Sequence, residues 1–239
     1  MPTTYALPII ESVKLSWNKV YGAKGTFWIA FGIVILTLII LDLIQKGSMA
    51  MELPLITALI AFIAAIVQTL LNLGLLYIGL QRGRDKSIHF TQLKYSFTPS
   101  LALKLVILII LEYLILLPAM IVVFIGIMLH QSNDHPLAHL AGNILTLLGG
   151  IATLYLAFRL YLSKGIVLLK QLNPWHAVKL SFKATQHNVL RLIGFTLLSI
   201  LILVISMVPL GIGLIWSLPY LFISYGVVYQ KLFAGRSFA

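Results

Sequence analysis

The sequence predicts an all-α fold: a polytopic membrane bundle of six transmembrane helices with three cytoplasmic amphipathic interfacial helices. Three observations predict it. First, 60% of the 239 residues are hydrophobic and only 10% charged, with a mean hydropathy of +1.03. A soluble domain is about 25% charged, and a soluble fold this apolar lacks the polar surface to cover its core. Second, six apolar stretches reach the ~18 residues that mark a membrane helix. Third, the net charge of +11 is sorted by side.

The stretches are 27–44, 53–80, 101–129 (with Pro118 inside), 137–162, 189–208 and 212–232 (with Pro219 inside). Proline is tolerated in membrane helices, where neighbours satisfy the freed carbonyl. None of the stretches alternates apolar and polar residues, as barrel strands do. The first is read as an uncleaved span. Its apolar run and the polar segment before it are both long for a secretory signal, although Ser48-Met49-Ala50 loosely resembles a cleavage site. The whole chain, 1–239, reads as a single integral membrane domain.

Six spans place both termini on one side. On that side fall sixteen of the 17 basic residues, all but Lys46. Asp42, Glu52 and Asp134 fall opposite, Glu11 and Asp85 join the basic majority, and Glu112 lies within a span. The balance is +14 on one side and −2 on the other. Positive flanks read as cytoplasmic, so the expected location is a bacterial inner (cell) membrane, multi-pass, with both termini cytoplasmic. Short outer loops are expected at about 45–52, 130–137 and 208–211. Basic residues that flank spans do not form a continuous nucleic-acid patch, and no nucleic-acid partner is expected.

A short pattern recurs three times: aliphatic, Lys, aliphatic or Tyr, Ser, aromatic. It is Val13-Lys14-Leu15-Ser16-Trp17, then Leu93-Lys94-Tyr95-Ser96-Phe97, then Val178-Lys179-Leu180-Ser181-Phe182, at offsets of 80 and 85. Each copy precedes a span, so the chain reads as three parallel repeats, 8–80, 88–165 and 173–236, each an interfacial helix plus a two-span hairpin. In the first helix Ile10, Val13, Trp17 and Val20 form the apolar face, with Glu11, Lys14 and Asn18 opposite. In the last, Asn173 and Pro174 start the helix. Trp175, Val178, Phe182 and Val189 form its apolar stripe, and Lys179, Lys183 and Gln186 its polar face. Lys14, Trp17, Lys94, Phe97, Trp175, Lys179 and Lys183 are therefore the expected interface with membrane lipids, anionic headgroups above all. Anchoring the bundle is the generic role of such helices. Docking a protein partner, or a second copy in a homo-oligomer, is the alternative.

Glu112 is the one carboxylate deep in a span, about 16 Å in at 1.5 Å per residue. An ionised group there must be paired, protonated or beside water. Arg159 on the antiparallel fourth span is its expected partner. Gln68, Asn72 and Tyr155 fall in a similar layer, so the five define a candidate polar cluster for ligand binding. An ion pair that fixes helix packing is the competing reading. In an outer loop, His135 and His139 are four apart, a weak metal-ligand signal because Pro136 interrupts the pattern. Gly142, Gly149 and Gly150 permit close helix approach. The absence of cysteine removes disulfides, thiolate nucleophiles and thiolate-ligated metals. No GxSxG, Walker A or dinucleotide fingerprint is present, so neither an enzyme nor a cofactor is expected.

The C-terminal third carries Arg159-x-x-Leu162, the basic helix AVKLSFKATQHN and the stretch GIGLIWSLPYLFISYGVVYQKLF. It resembles the six-span bacterial inner-membrane proteins of the YciC type, and is similar to the membrane domain fused to some glycerophosphodiester phosphodiesterases. The resemblance implies an inner-membrane location and a link to envelope or lipid homeostasis. It carries no catalytic residues to transfer, and the phosphodiesterase domain is missing here. The functional expectation is a non-enzymatic protein that binds or moves a lipid-like or small amphiphilic ligand.

Overall fold

The structure is a computed structural model and describes residues 6–132 and 136–233. Among them all regular structure is helical: α1 (Ile9–Asn18), α2 (Lys24–Ala50), α3 (Pro54–Gly83), a 3₁₀ stretch (Phe90–Phe97), α4 (Pro99–Ser132), α5 (Pro136–Arg159), α6 (Ser163–Lys170), α7 (Pro174–Thr185), α8 (Val189–Met207) and α9 (Leu214–Phe233). Five segments are long and apolar enough to cross a membrane: α2, α3, α4, α8 and the α5–α6 run Pro136–Lys170. Their outward faces carry large apolar side chains, among them Leu36, Phe62, Leu103, Leu147 and Leu201, each more than half exposed. Monomeric soluble proteins do not leave so many large apolar side chains exposed along their helices, so this is a helical membrane protein. α4 and α9 run unbroken through Pro118 and Pro219.

The chain forms two compact units, Leu7–Ala102 with Gly194–Ser237, and a second built on Leu103–Ile193. The division falls inside α4 and α8, not between the sequence repeats.

In the first unit α9 packs on α1, α2 and α3. Tyr220, Ile223, Val227 and Val228 of α9 are fully buried, and the core they join includes Phe27, Ala30, Leu75 and Ile78. A helix enclosed by other helices needs no lipid-compatible composition, which is why α9 can carry Tyr and Ser where α2 carries Ile and Leu. Glycines set its approach to α3. A Cβ on Gly226 would lie 2.5 Å from the Gly79 carbonyl oxygen, and one on Gly83 would lie 2.6 Å from Gly226 Cα. Gly79 meets Phe222 while Gly83 meets Gly226 and Val227, so the two helices run in the same direction. Gly79 and Gly83 are spaced as in the small-xxx-small motif that lets membrane helices touch backbone to backbone.

The same device closes the α4–α5 hairpin of the second unit. A Cβ on Gly142 would lie 2.7 Å from the Gly126 carbonyl, and one on Gly149 2.8 Å from the Val123 nitrogen. Gly142 and Gly149 therefore act as expected. Gly150 does not, for nothing lies within 4 Å of its Cβ position. α6, which the sequence pattern did not reveal, is buried along Gly165–Leu168 and packs on α7. The Asn173 side chain caps α7 by accepting from the Trp175 amide at 3.1 Å, with Pro174 in the first turn.

One expectation for the interfacial segments needs correction. The middle one is a 3₁₀ stretch instead of an α-helix, and Pro99 ends it by driving Thr98 out of the α region, at ψ 122°. The sequence pattern does not assign the faces that pack inward in the other two. In α1 the buried residues are Ser12 and Ser16, while Ile10 is 67% exposed. In α7 they include Ala177, Val178, Ser181, Ala184 and Thr185, while Trp175 is half exposed. A hydroxyl that bonds a nearby carbonyl packs like a small apolar group. Ser12 Oγ donates to Pro8 O at 2.7 Å and Ser16 Oγ to Ser12 O at 2.6 Å. Small residues thus take the tight inner contacts and leave the bulky ones on the flanks.

Candidate functional site

The three recurrences share an arrangement. Ser16, Ser96 and Ser181 are fully buried, while Lys14, Lys94 and Lys179 are exposed. Each serine bonds a backbone carbonyl, and in the last two copies it reaches another segment: Ser96 Oγ donates to Leu70 O of α3 at 2.6 Å, and Ser181 Oγ to Arg159 O at the end of α5 at 2.7 Å. The buried serine pins the segment with its lysine outward.

Beside the first two copies the surface opens. A groove of about 410 Å³ is lined by Val13, Lys14, Trp17, Asn18 and Ile202. A second, of about 580 Å³, is lined by Tyr77, Gln92, Lys94, Tyr95, Phe97 and Thr98, among others. Shifting the first set by 80 residues carries Lys14 onto Lys94, Trp17 onto Phe97 and Asn18 onto Thr98. The two grooves therefore use equivalent positions. One wall of the second is rigid, with the Tyr77 and Tyr95 rings stacked at 4.1 Å and Gln81 Nε2 donating to the Tyr77 hydroxyl at 2.6 Å. Tyr95 belongs to the recurring pattern, but nothing in the sequence marks Tyr77 or Ile202, single residues in long apolar runs.

Among the described residues neither Lys14 nor Lys94 has an ion pair, hydrogen bond or ring contact. Many of the other cations are engaged. Lys19 pairs with Asp85 at 2.8 Å and donates to Gly83 O, Lys24 lies 4.5 Å from the Trp216 ring centre, and Lys231 pairs with Glu11 at 2.6 Å. Arg82 donates to the carbonyls of Lys19 and Tyr21.

The third copy is closed by its own chain. Lys179 sits 5.3 Å from the Trp175 ring, and the Arg159 guanidinium lies 4.9 Å from the Phe182 ring centre and 5.9 Å from that of Tyr155. Arg159 Nε and Nη1 are buried with no hydrogen-bond partner. Lys183 is exposed on the same helix.

Glu112 is buried, as its place in a span requires, but its partner is not Arg159. Ser163 Oγ donates to Glu112 Oε1, and Lys164 Nζ lies 3.4 Å from Oε2. The reason is the turn after α5. The chain leaves that helix at Arg159 and begins α6 at Ser163, so the first residues of α6 meet the carboxylate, at the end of the helix where a negative charge is favoured. Gln68 and Asn72 lie on α3 in the other compact unit, both exposed, and Tyr155 is 49% exposed.

His139 meets His130 with ring centres 4.9 Å apart and an edge-on geometry. His135 and Asp134 lie outside the described residues. Among the described residues no group of three or more His, Asp or Glu could hold a metal ion. Comparison with protein-family models, curated proteins and solved structures finds no match.

Proposed function

We propose that this chain is a six-span bacterial inner-membrane protein, not an enzyme, that binds a lipid-like amphiphile on its cytoplasmic face. The observation that carries this is the pair of grooves at equivalent positions, each joining an unpartnered ammonium to aromatic and aliphatic walls. A site built this way holds a polar head by charge and an apolar body by burial. The resemblance to YciC-type proteins supports the same setting and a role in envelope homeostasis. Glu112 has a structural role here, tying α4 to the start of α6.

The common direction of α3 and α9 supports six spans, since the second and sixth spans of such a bundle must run alike. The recurring buried serine and exposed lysine support three repeats. Orientation is checked by single cysteines, which the chain otherwise lacks. An impermeant maleimide should label Glu52→Cys from the outer side, and Lys86→Cys only once the inner membrane is opened. The reverse pattern overturns the orientation.

Native mass spectrometry of protein purified in mild detergent tests the binding function. Retained phospholipid is the expected result. Protein that stays free of lipid, even after incubation with vesicles of total inner-membrane lipid, overturns it. A stoichiometric protein subunit retained in place of lipid would favour the docking role of the basic segments.

A further inference from the structure

We infer that the three recurrences make two binding sites and one filled site: the Lys14–Trp17 and Lys94–Phe97 grooves each take the phosphate of one anionic phospholipid, while Arg159 occupies the equivalent place in the third. This rests on the lipid-binding function proposed above and adds to it the headgroup class, the number of sites and their residues.

Charge complementarity identifies the occupant. Lys14 and Lys94 have no acidic partner among the described residues, and no carboxylate is among the residues that line either groove. An ammonium with no internal anion, on a segment of the membrane-surface type, attracts anionic headgroups at about 1 kcal/mol per charge. Beside Lys14 stands the Asn18 amide, able to donate to a phosphate oxygen. At the equivalent position beside Lys94 the Thr98 hydroxyl donates to Tyr95 O at 2.9 Å, so there the ammonium alone donates to the phosphate. The remaining walls, Val13, Trp17 and Ile202 in one groove and Tyr77, Tyr95 and Phe97 in the other, suit the glycerol and the first methylenes of an acyl chain.

The third copy explains why the number is two. Phe182 stands where Trp17 and Phe97 stand, but its face is covered by the Arg159 guanidinium at 4.9 Å, and Lys179 is turned over Trp175. Both elements that would receive a headgroup are used by the chain itself.

The test is native mass spectrometry in detergent with added phosphatidylglycerol, and in parallel with phosphatidylethanolamine. Wild type should retain two phosphatidylglycerol molecules. Lys14→Ala and Lys94→Ala should each lower that number to one, and the double variant should lower it to zero. Lys179→Ala should leave it at two, and Lys94→Arg should restore the second. These lysines are exposed, so an unchanged melting temperature accompanies each loss. Inorganic phosphate should not displace the lipid, because it cannot fill the apolar walls. Lipid retained with a number indifferent to Lys14 and Lys94 overturns the inference and leaves the lipid-binding function standing. So does equal retention of phosphatidylethanolamine, displacement by inorganic phosphate, or equal loss on Lys179→Ala. No lipid of any class in wild type overturns the function itself.

Discussion

Gly226→Leu should abolish the folded protein, while Gly150→Leu should leave it intact. Both glycines lie in long helices, so helix propensity penalises or favours them alike. They differ in what faces them. A Cβ on Gly226 meets backbone of α3, 2.5 Å from the Gly79 oxygen and 2.9 Å from Leu80 Cα, whereas one on Gly150 meets nothing. Backbone cannot rotate away as a side chain can. Overpacking a well-filled interface costs about 1–3 kcal/mol, and more where the neighbours cannot move, so even Gly226→Ala should cost about 2–3 kcal/mol. Domain stabilities are only about 5–15 kcal/mol, and leucine at this position removes the α3–α9 contact altogether. Thermal loss of the monodisperse peak in size-exclusion chromatography is the measurement. Equal midpoints for Gly226→Leu and Gly150→Leu would show that α9 does not pack on α3 in this way.

Glu112→Ala should give the second-largest loss. The carboxylate is the acceptor for Ser163 and the partner of Lys164, and its removal also leaves a gap between α4 and α6. The cavity and the broken buried pair together predict about 2–4 kcal/mol. Glu112→Gln fills the space and still accepts from Ser163. It loses only an ion pair whose lysine is 42% exposed, which should cost about 1 kcal/mol after screening. Lys46→Gln is the control: its pair with Asp42 is exposed on both sides, and such i,i+4 pairs contribute about 0.3–0.5 kcal/mol. The graded order Ala, Gln, then Lys46→Gln is the expected outcome in thermal unfolding. Lipid retention should be the same in Glu112→Gln as in wild type. Lost retention with stability intact would move the ligand site to Glu112.

The positions of the helices were legible because a membrane span needs length and apolar composition, both of which survive in sequence. All six apolar stretches fall on helices, with ends displaced by a few residues where α2 extends to Lys24 and Ala50. The short pattern around Lys14, Lys94 and Lys179 was legible as a recurrence, but its inward face was not. Periodicity assigns the apolar and polar faces of these segments but not Ser16 or Ser181, which pack inward because their hydroxyls satisfy themselves on carbonyls. α6 was hidden for another reason: it has only eight residues, too few to show a helical period, and it follows α5 after a break of three residues. The partner of Glu112 was missed because depth along straight helices was used to choose it. The carboxylate instead meets the turn after Arg159, whose path no residue spacing announces.

The central place of α9 has a consequence for how the protein is made. α9 fills the space between α1, α2 and α3, yet it leaves the ribosome more than a hundred residues after α3 ends. Until then the glycine-lined face of α3 and the aromatic side of α2 have no companion. The segment Leu103–Ile193, which makes up most of the other unit, is translated between α3 and α9. Helices α1 to α3 therefore reach their final packing only once the last helix of the chain has been made.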